Sequence, residues 1–309
     1  MAVAFAPFKI STITATACIG SEVNLDLLFH HTSIISYDLA LKSKDAVGFI
    51  YMEHGKKTED LVYRGFCKRL TITHRKKEKG KRFDKQVTAV IKVGDLCPRS
   101  INENDSQSMV NIKIFKNGNV QMTGIRCLNH GYIAVDMLIN TLKELYAKDI
   151  YAAENPDKLE MSDFKIRLIN SDFRTQFELK RDALCKIIQS KGCFCSFEPC
   201  IYPGVKVQYY YNELLNKSDD GICKCTVNCS GKGCGCGNGH CKMITIAIFQ
   251  SGCVIITGAQ TYDQISTAYQ FICDIFNDHM SVIKRETIIN LKNDFTKAVT
   301  KRFRRCVNI

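Results

Sequence analysis

The 309-residue chain contains the same construction twice. NIKIFKNGNVQMTGIRCLNHGYIAVDMLINTL, from Asn111, and TIAIFQSGCVIITGAQTYDQISTAYQFICDIF, from Thr245, align at a constant offset of 134. They share Ile112/Ile246, Ile114/Ile248, Phe115/Phe249, Gly118/Gly252, Val120/Val254, Thr123/Thr257, Gly124/Gly258 and Ala134/Ala268. The openings of the halves match as well: FKISTIT at Phe8 and FKIRLIN at Phe164. One ancestral unit has been duplicated, so a fold for this chain must be two like halves packed together.

Each half reads in the same order. IKIFKNGNVQMTG and IAIFQSGCVIITG alternate with period two around an Asn-Gly or Ser-Gly turn, which predicts a β-hairpin. A helical pattern follows each: Val135, Leu138, Ile139, Leu142 and Leu145, then Ile265, Ala268, Tyr269, Ile272 and Phe276. The openings predict strands leading into shorter helices near NLDLLFHHTSI and KRDALCKIIQSKG, with further strands at QVTAVIKV and GVKVQYYYN. Strand, helix, several strands and a long helix make an α+β unit with an antiparallel sheet. On each hairpin Ile112, Ile114, Val120 and Met122 share the face expected toward the helices. Lys113, Phe115, Gln121 and Thr123 share the other, matched in the second half by Ala247, Phe249, Ile255 and Thr257. Thr12, Thr14, Leu168 and Asn170 of the opening strands can join that second face. It is mildly polar and low in charge, unlike a water-facing sheet, so it reads as a binding surface or a surface covered by another protein element.

The net charge of +12 is uneven. Residues 64–86 carry ten Lys and Arg against two acids, and residues 281–309 carry eight against two. Two basic appendages on a near-neutral body favour a polyanion, nucleic acid first; two solvated basic loops are the bland alternative. No run of 18 or more apolar residues predicts a membrane span, and the N-terminus does not read as a secretory signal. The 17 cysteines, an odd number scattered through the chain, read as reduced thiols in an intracellular, reducing compartment. The seven histidines sit in no hydrolase motif and no GxxxxGK[ST] occurs, so no enzyme and no small-molecule substrate is expected.

FCSFEPCIYPGVKVQY, the IFxSG-x-V-x-x-TGA string and the duplicated unit together resemble the TATA-box-binding protein family, most closely the divergent members encoded by large DNA viruses. The resemblance covers both halves, roughly 8–150 and 160–280. It implies a saddle: two pseudo-symmetric halves forming one curved antiparallel sheet with helices on the convex face. The implied organisation is a first half over 1–155 with a long basic insertion around 40–86, a second half over 156–280 with a Cys-rich insertion at 214–242, and a basic helical extension over 281–309. It implies binding of AT-rich, TATA-like promoter DNA in the minor groove, bending by aromatic wedges, and nucleation of RNA polymerase assembly with initiation factors. For a viral chain, the compartment would be the host nucleus or a cytoplasmic factory.

By position in these motifs, Phe249 and Tyr202 correspond to the second-half wedges, and Phe115 and Phe83 to the first-half pair. Thr123 and Thr257 match threonines that touch base edges, and Ile255 an apolar floor residue, where the other half has Gln121. The family's two central asparagines are replaced by Thr12 and Leu168; Asn170, two residues on, can compensate on one side. Glu198 retains one acid of the stretch that contacts an initiation factor, while Cys200 replaces the second. These departures leave open a protein-interaction scaffold that keeps the saddle but has weakened or lost DNA binding.

GICKCTVNCSGKGCGCGNGHCK, from Gly221, is inserted between two strands of the second half. Six cysteines and a histidine among glycines can supply tetrahedral metal ligands where no apolar core orders the loop. Cys223, Cys225, Cys229 and Cys241 bracket the loop and are the favoured set for a structural zinc, with Cys234, Cys236 or His240 as substitutes. Disulfides or a metal-free loop are the alternatives. In the C-terminal segment Ile288, Leu291, Phe295, Val299 and Phe303 fall at helical spacing, which predicts an amphipathic helix packing on the body.

Overall fold

The computed structural model describes residues 5–36, 45–55, 62–65, 85–94, 109–215 and 220–285, with Leu39 and Ser43. The strands are β1 (Lys9–Cys18), β2 (Val47–His54), β3 (Val62–Gly65), β4 (Gln86–Val93), β5 (Met109–Phe115), β6 (Asn119–Ile125), β7 (Ser162–Arg174), β8 (Phe194–Ser196), β9 (Val205–Tyr211), β10 (Lys242–Ile248) and β11 (Cys253–Ala259). The helices are α1 (Leu25–His31), α2 (Leu128–Tyr146), α3 (Arg181–Ser190), α4 (Tyr262–Asp278) and the single turn α5 (Met280–Ile283).

All eleven strands form one open antiparallel sheet, in the order β3-β2-β4-β5-β6-β1-β7-β11-β10-β9-β8. The duplication is written into that order. β1 pairs with β7 at the centre, and from each the chain runs outward through equivalent strands: β6, β5, β4 and β2 on one side, β11, β10, β9 and β8 on the other. Registers agree too, for Val87 pairs with Ile114 just as Val205 pairs with Ile248. The fold is the expected α+β arrangement, two pseudo-symmetric halves sharing one sheet. β2 and β3 lie within the stretch that the sequence reads as a basic insertion.

The period-two pattern places Ile13, Ala15, Val87, Ala89, Ile112, Ile114, Val120 and Met122 in one buried core with Ile169, Val205, Val207, Ile244, Ile246, Val254 and Ile256. The helices close it. Val135, Leu138, Ile139, Leu142 and Leu145 of α2 are buried, as are Ile265, Ala268, Ile272 and Phe276 of α4. Each Val, Leu, Ile or Phe side chain so removed from water contributes roughly 1.5–3 kcal/mol. Tyr269, expected on the same stripe, is half-buried among Phe8 and Phe173, and its hydroxyl donates to the Ala6 carbonyl at 3.0 Å. α4 starts where Thr261 caps it, its Oγ1 accepting from the Gln264 N–H at 3.2 Å. Among the described helices none is long and apolar enough to cross a membrane.

Thirteen described cysteines carry free thiols, and Cys127 is disulfide-bonded, so the expectation of reduced thiols holds for all of them but one. Phe83, most of the basic stretch 64–86 and the C-terminal segment from residue 286 lie outside the described residues.

Both hairpins turn on a glycine with positive φ, Gly118 at 77° and Gly252 at 78°. A Cβ on Gly252 would stand 2.3 Å from Thr175 Oγ1 and 2.5 Å from the Phe177 carbonyl oxygen. Gly237 has a similar φ of 86° but nothing within 4 Å. Gly252→Ala should therefore lower unfolding free energy by about 2–4 kcal/mol in urea titration, and Gly237→Ala by only about 1–2 kcal/mol.

Candidate nucleic-acid face and cysteine cluster

Because one face of the central strands is committed to the core, the alternate residues face away from the helices. On the central strands these are Thr12, Thr14 and Thr16 of β1, Gln121 and Thr123 of β6, Leu168 and Asn170 of β7, and Ile255 and Thr257 of β11; none is buried. Thr12, Asn170 and Thr257 are direct neighbours across three strands. The Thr257 hydroxyl donates to Asn170 Oδ1, and Thr12 Oγ1 accepts from the Gly124 N–H at 3.2 Å. Leu168 stands opposite Thr14. The centre of the floor is thus uncharged, made of small hydroxyls, two amides and two aliphatic side chains, with the acid Asp172 opposite Ile255 at its edge.

At the second-half end, the rings of Tyr202 and Phe249 lie 5.8 Å apart between centroids and tilt by 60°. Tyr202 follows the turn after β8, and Phe249 comes directly after the last residue of β10. Gly204 lets them meet, since a Cβ there would be 2.9 Å from the Tyr202 ring and 3.2 Å from that of Phe249. The Glu198 carbonyl accepts from the N–H groups of Ile201 and Tyr202, both at 2.9 Å, and so shapes the turn that presents the ring. Glu198 and Cys200 are exposed on that turn, and Ile201 is 81% exposed. In the first half Phe115 ends β5, half-buried and paired with Gln86.

Three cations on this face were not singled out from the sequence. Arg167 Nε donates to Thr16 Oγ1 at 2.9 Å, and Lys165 stands opposite Thr16. Lys206 is exposed on β9. Strict alternation would put Arg167 on the opposite face from Leu168. A register shift between Thr14 and Ala15 opens a bulge in β7 that brings both to one side.

The cysteine insertion departs from the ends of β9 and β10. It brings together Cys223, Cys225, Cys229 and Cys241, whose sulfurs all lie within 4.8 Å of one another. Cys241 Sγ is 3.3 Å from Cys225 Sγ and 3.7 Å from Cys223 Sγ. A tetrahedral ion with sulfurs at about 2.3 Å needs sulfur–sulfur edges of about 3.8 Å, so the four can hold a metal ion after a slight relaxation. The remaining candidates turn elsewhere: Cys236 Sγ approaches the Glu213 carboxylate at 3.5 Å, Cys234 is exposed and so is His240.

Body residues support the cluster. Asn212 is buried and its Nδ2 donates to the Gly237 carbonyl at 2.7 Å and to Cys241 Sγ at 3.4 Å. Gln264, in the first turn of α4, donates to the Cys234 carbonyl at 3.0 Å and accepts from the Gln260 N–H at 2.8 Å. Burial pushes the Cys241 thiol up, and its neighbouring thiols add to that. At Cys225 burial works in the same direction, but the Gly239 N–H at 3.0 Å and the surrounding thiols hold it down at about 7. Four sulfurs this close cannot all ionise without a cation among them.

A comparison with protein-family models finds no match. A TATA-box-binding protein-like protein of Acanthamoeba polyphaga mimivirus is 27% identical over 285 residues, 89% of this chain; the chain spans 66% of that relative's length. Among solved structures, Methanococcus jannaschii TBP aligns over 88% of this chain and 99% of its own, with 15% identity and a TM-score of 0.47.

In the metal-free protein, the alkylation rate at Cys225 should rise as pH increases through about 7, because the thiolate is the nucleophile and predominates above its pKa. Exchange of Cys225 labelling against pH, resolved by peptide mapping, checks this. Over most of its length the chain is similar in sequence to a TATA-box-binding protein-like protein, the family its motifs resemble.

Proposed function

We propose that this protein is a transcription initiation factor that binds the minor groove of AT-rich promoter DNA, bends it and nucleates polymerase assembly. The observation that carries this reading is the open sheet face: a neutral floor of Thr12, Thr14, Asn170, Ile255 and Thr257 with the Tyr202–Phe249 pair at its end. The minor-groove edges of A·T and T·A look alike, so shape, apolar contact and deformability do most of the reading, and small neutral side chains allow close approach. Unstacking a base step costs a few kcal/mol, offset by burial of the inserted rings and the wider contact that a bent duplex offers. Arg167, Lys165 and Lys206 sit where they can meet phosphates beside that floor, which makes binding salt-dependent.

The protein acts without catalysis, in the reducing interior of a cell. The exposed turn with Glu198, Cys200 and Ile201 is the surface on which an initiation factor docks. The four-cysteine cluster holds a structural zinc; four free thiols, Cys241 buried and the others partly so, suit it, and the loop has no large apolar core of its own. One observation favours a second reading, a scaffold with weakened DNA binding: Asn170, the residue placed to compensate for the missing central asparagine, already spends its carbonyl oxygen on Thr257.

End-labelled duplexes titrated at two salt concentrations decide between them. AT-rich DNA should bind more tightly than GC-rich DNA and shorten its end-to-end distance by energy transfer, more weakly as salt rises. Tyr202→Ala with Phe249→Ala should abolish the shortening and weaken binding tenfold or more; binding without shortening in the parent chain would favour the scaffold. For the metal, the purified chain should carry one zinc, lost in Cys241→Ser and retained in Cys234→Ser with Cys236→Ser.

A further inference from the structure

The two halves agree in strand order but differ in what lies on their sheet faces. Equivalent registers match Val90 of β4 to Gln208 of β9, and Lys92 to Tyr210. Gln208 is partly exposed, and so is Tyr210 although Gly231 of the cysteine insertion lies against its ring, whereas Val90 is 9% exposed and Lys92 only 1%. These side chains point away from the helices, because Val87, Ala89, Ile91 and Val93 between them are in the core. Ile50 and Tyr51 of β2 join Val90 in a separate apolar cluster on that outer side, closed by Ile35 and Met109.

The chain leaving α1 is what reaches across. The Ile35 N–H donates to the Phe49 carbonyl at 2.9 Å, so this stretch is hydrogen-bonded to β2. Its side chain rests on Gly48, where a Cβ would come within 2.9 Å of Ile35 Cγ2. Gly48 pairs with Lys92, whose Nζ donates to the Ser43 carbonyl. An ammonium buried to this extent is costly unless its donors are satisfied, so lifting the chain off would expose an apolar cluster and break that contact together.

We propose that Ile35 and the Ser43 carbonyl form a fixed cover on the outer strands of the first half, and that a duplex is therefore gripped asymmetrically, by the central strands and by the open part of β9 at Lys206 and Gln208. This rests on the minor-groove reading above. The sequence duplication makes the halves look equivalent as DNA-contacting units; the cover makes them unequal, and gives the bound duplex a polarity independent of its sequence.

Acetylation of the full chain, read by peptide mass, tests it without a variant. Lys206, exposed on β9, should react in the free protein and be protected several-fold by an AT-rich duplex. Lys92 should stay unreactive in both states. A locked variant adds a second readout. The 2.9 Å separation at Gly48 suits the reach between a β-carbon and the distal sulfur of a disulfide, so Ile35→Cys with Gly48→Cys should cross-link the cover to β2. Oxidised and reduced forms should bind duplex within twofold of each other, and hydroxyl-radical protection should be unequal on the two sides of the site's centre. Lys92 becoming reactive when duplex is added, tenfold weaker binding by the oxidised form, or equal protection on both sides would each overturn the fixed cover while leaving the minor-groove reading intact. A parent chain that protects neither Lys206 nor the duplex overturns both.

Discussion

The antiparallel pairing of β1 with β7 is the contact on which both faces of this molecule depend. Ile13 lies beside Ile169 on the core side of that seam, and Thr12 beside Asn170 on the other. Without it each half would be a short sheet with an exposed inner edge, a row of unpaired backbone donors and acceptors open to aggregation. With it, four strands extend outward on each side of a shared centre in matched order, and the floor of the open face runs uninterrupted across the junction. The row Thr12, Asn170, Thr257 belongs to both repeats at once, and no single repeat could build it.

On the proposed minor-groove reading, the uncharged floor and the cations at its margins divide the labour. Charge supplies attraction that is indifferent to sequence, while small hydroxyls and aliphatic groups permit close approach to the base edges. Arg167 reaches the floor only through the bulge in β7, and there it is anchored on Thr16. The second half has the better-defined aromatic pair, seated by Gly204, and also carries the cysteine cluster; the first half carries the cover. Duplication has given each copy its own accessory on a shared frame.

Much of this was legible in the sequence, and for physical reasons. Period-two alternation around Asn-Gly and Ser-Gly gave both hairpins, and helical spacing gave the buried stripes of α2 and α4, because those patterns follow directly from which residues must leave water. The four metal-competent cysteines were legible since they bracket an otherwise coreless loop. What escaped was what depends on departures from regular pairing or on contacts distant in sequence. Arg167 changes face through a bulge that no pattern announces. The strand at VGFIYMEH was hidden because both its faces are buried, one by the core and one by the chain carrying Ile35, so it shows no alternation. Lys92 donates to the Ser43 carbonyl, a contact distant in sequence that no local pattern announces.

The amide of Gln264 has a consequence for how the second half comes apart. It is 3% exposed, and its two ends join the Cys234 carbonyl in the cysteine loop to the backbone just before α4. If the loop lost its shape, that buried donor would lose its acceptor, at a cost of about 1–3 kcal/mol. Loop and helix are therefore not separately dispensable. The first turn of the long helix and the cysteine clip form one cooperative unit, and whatever holds the sulfurs together also sets how readily that end of the helix frays.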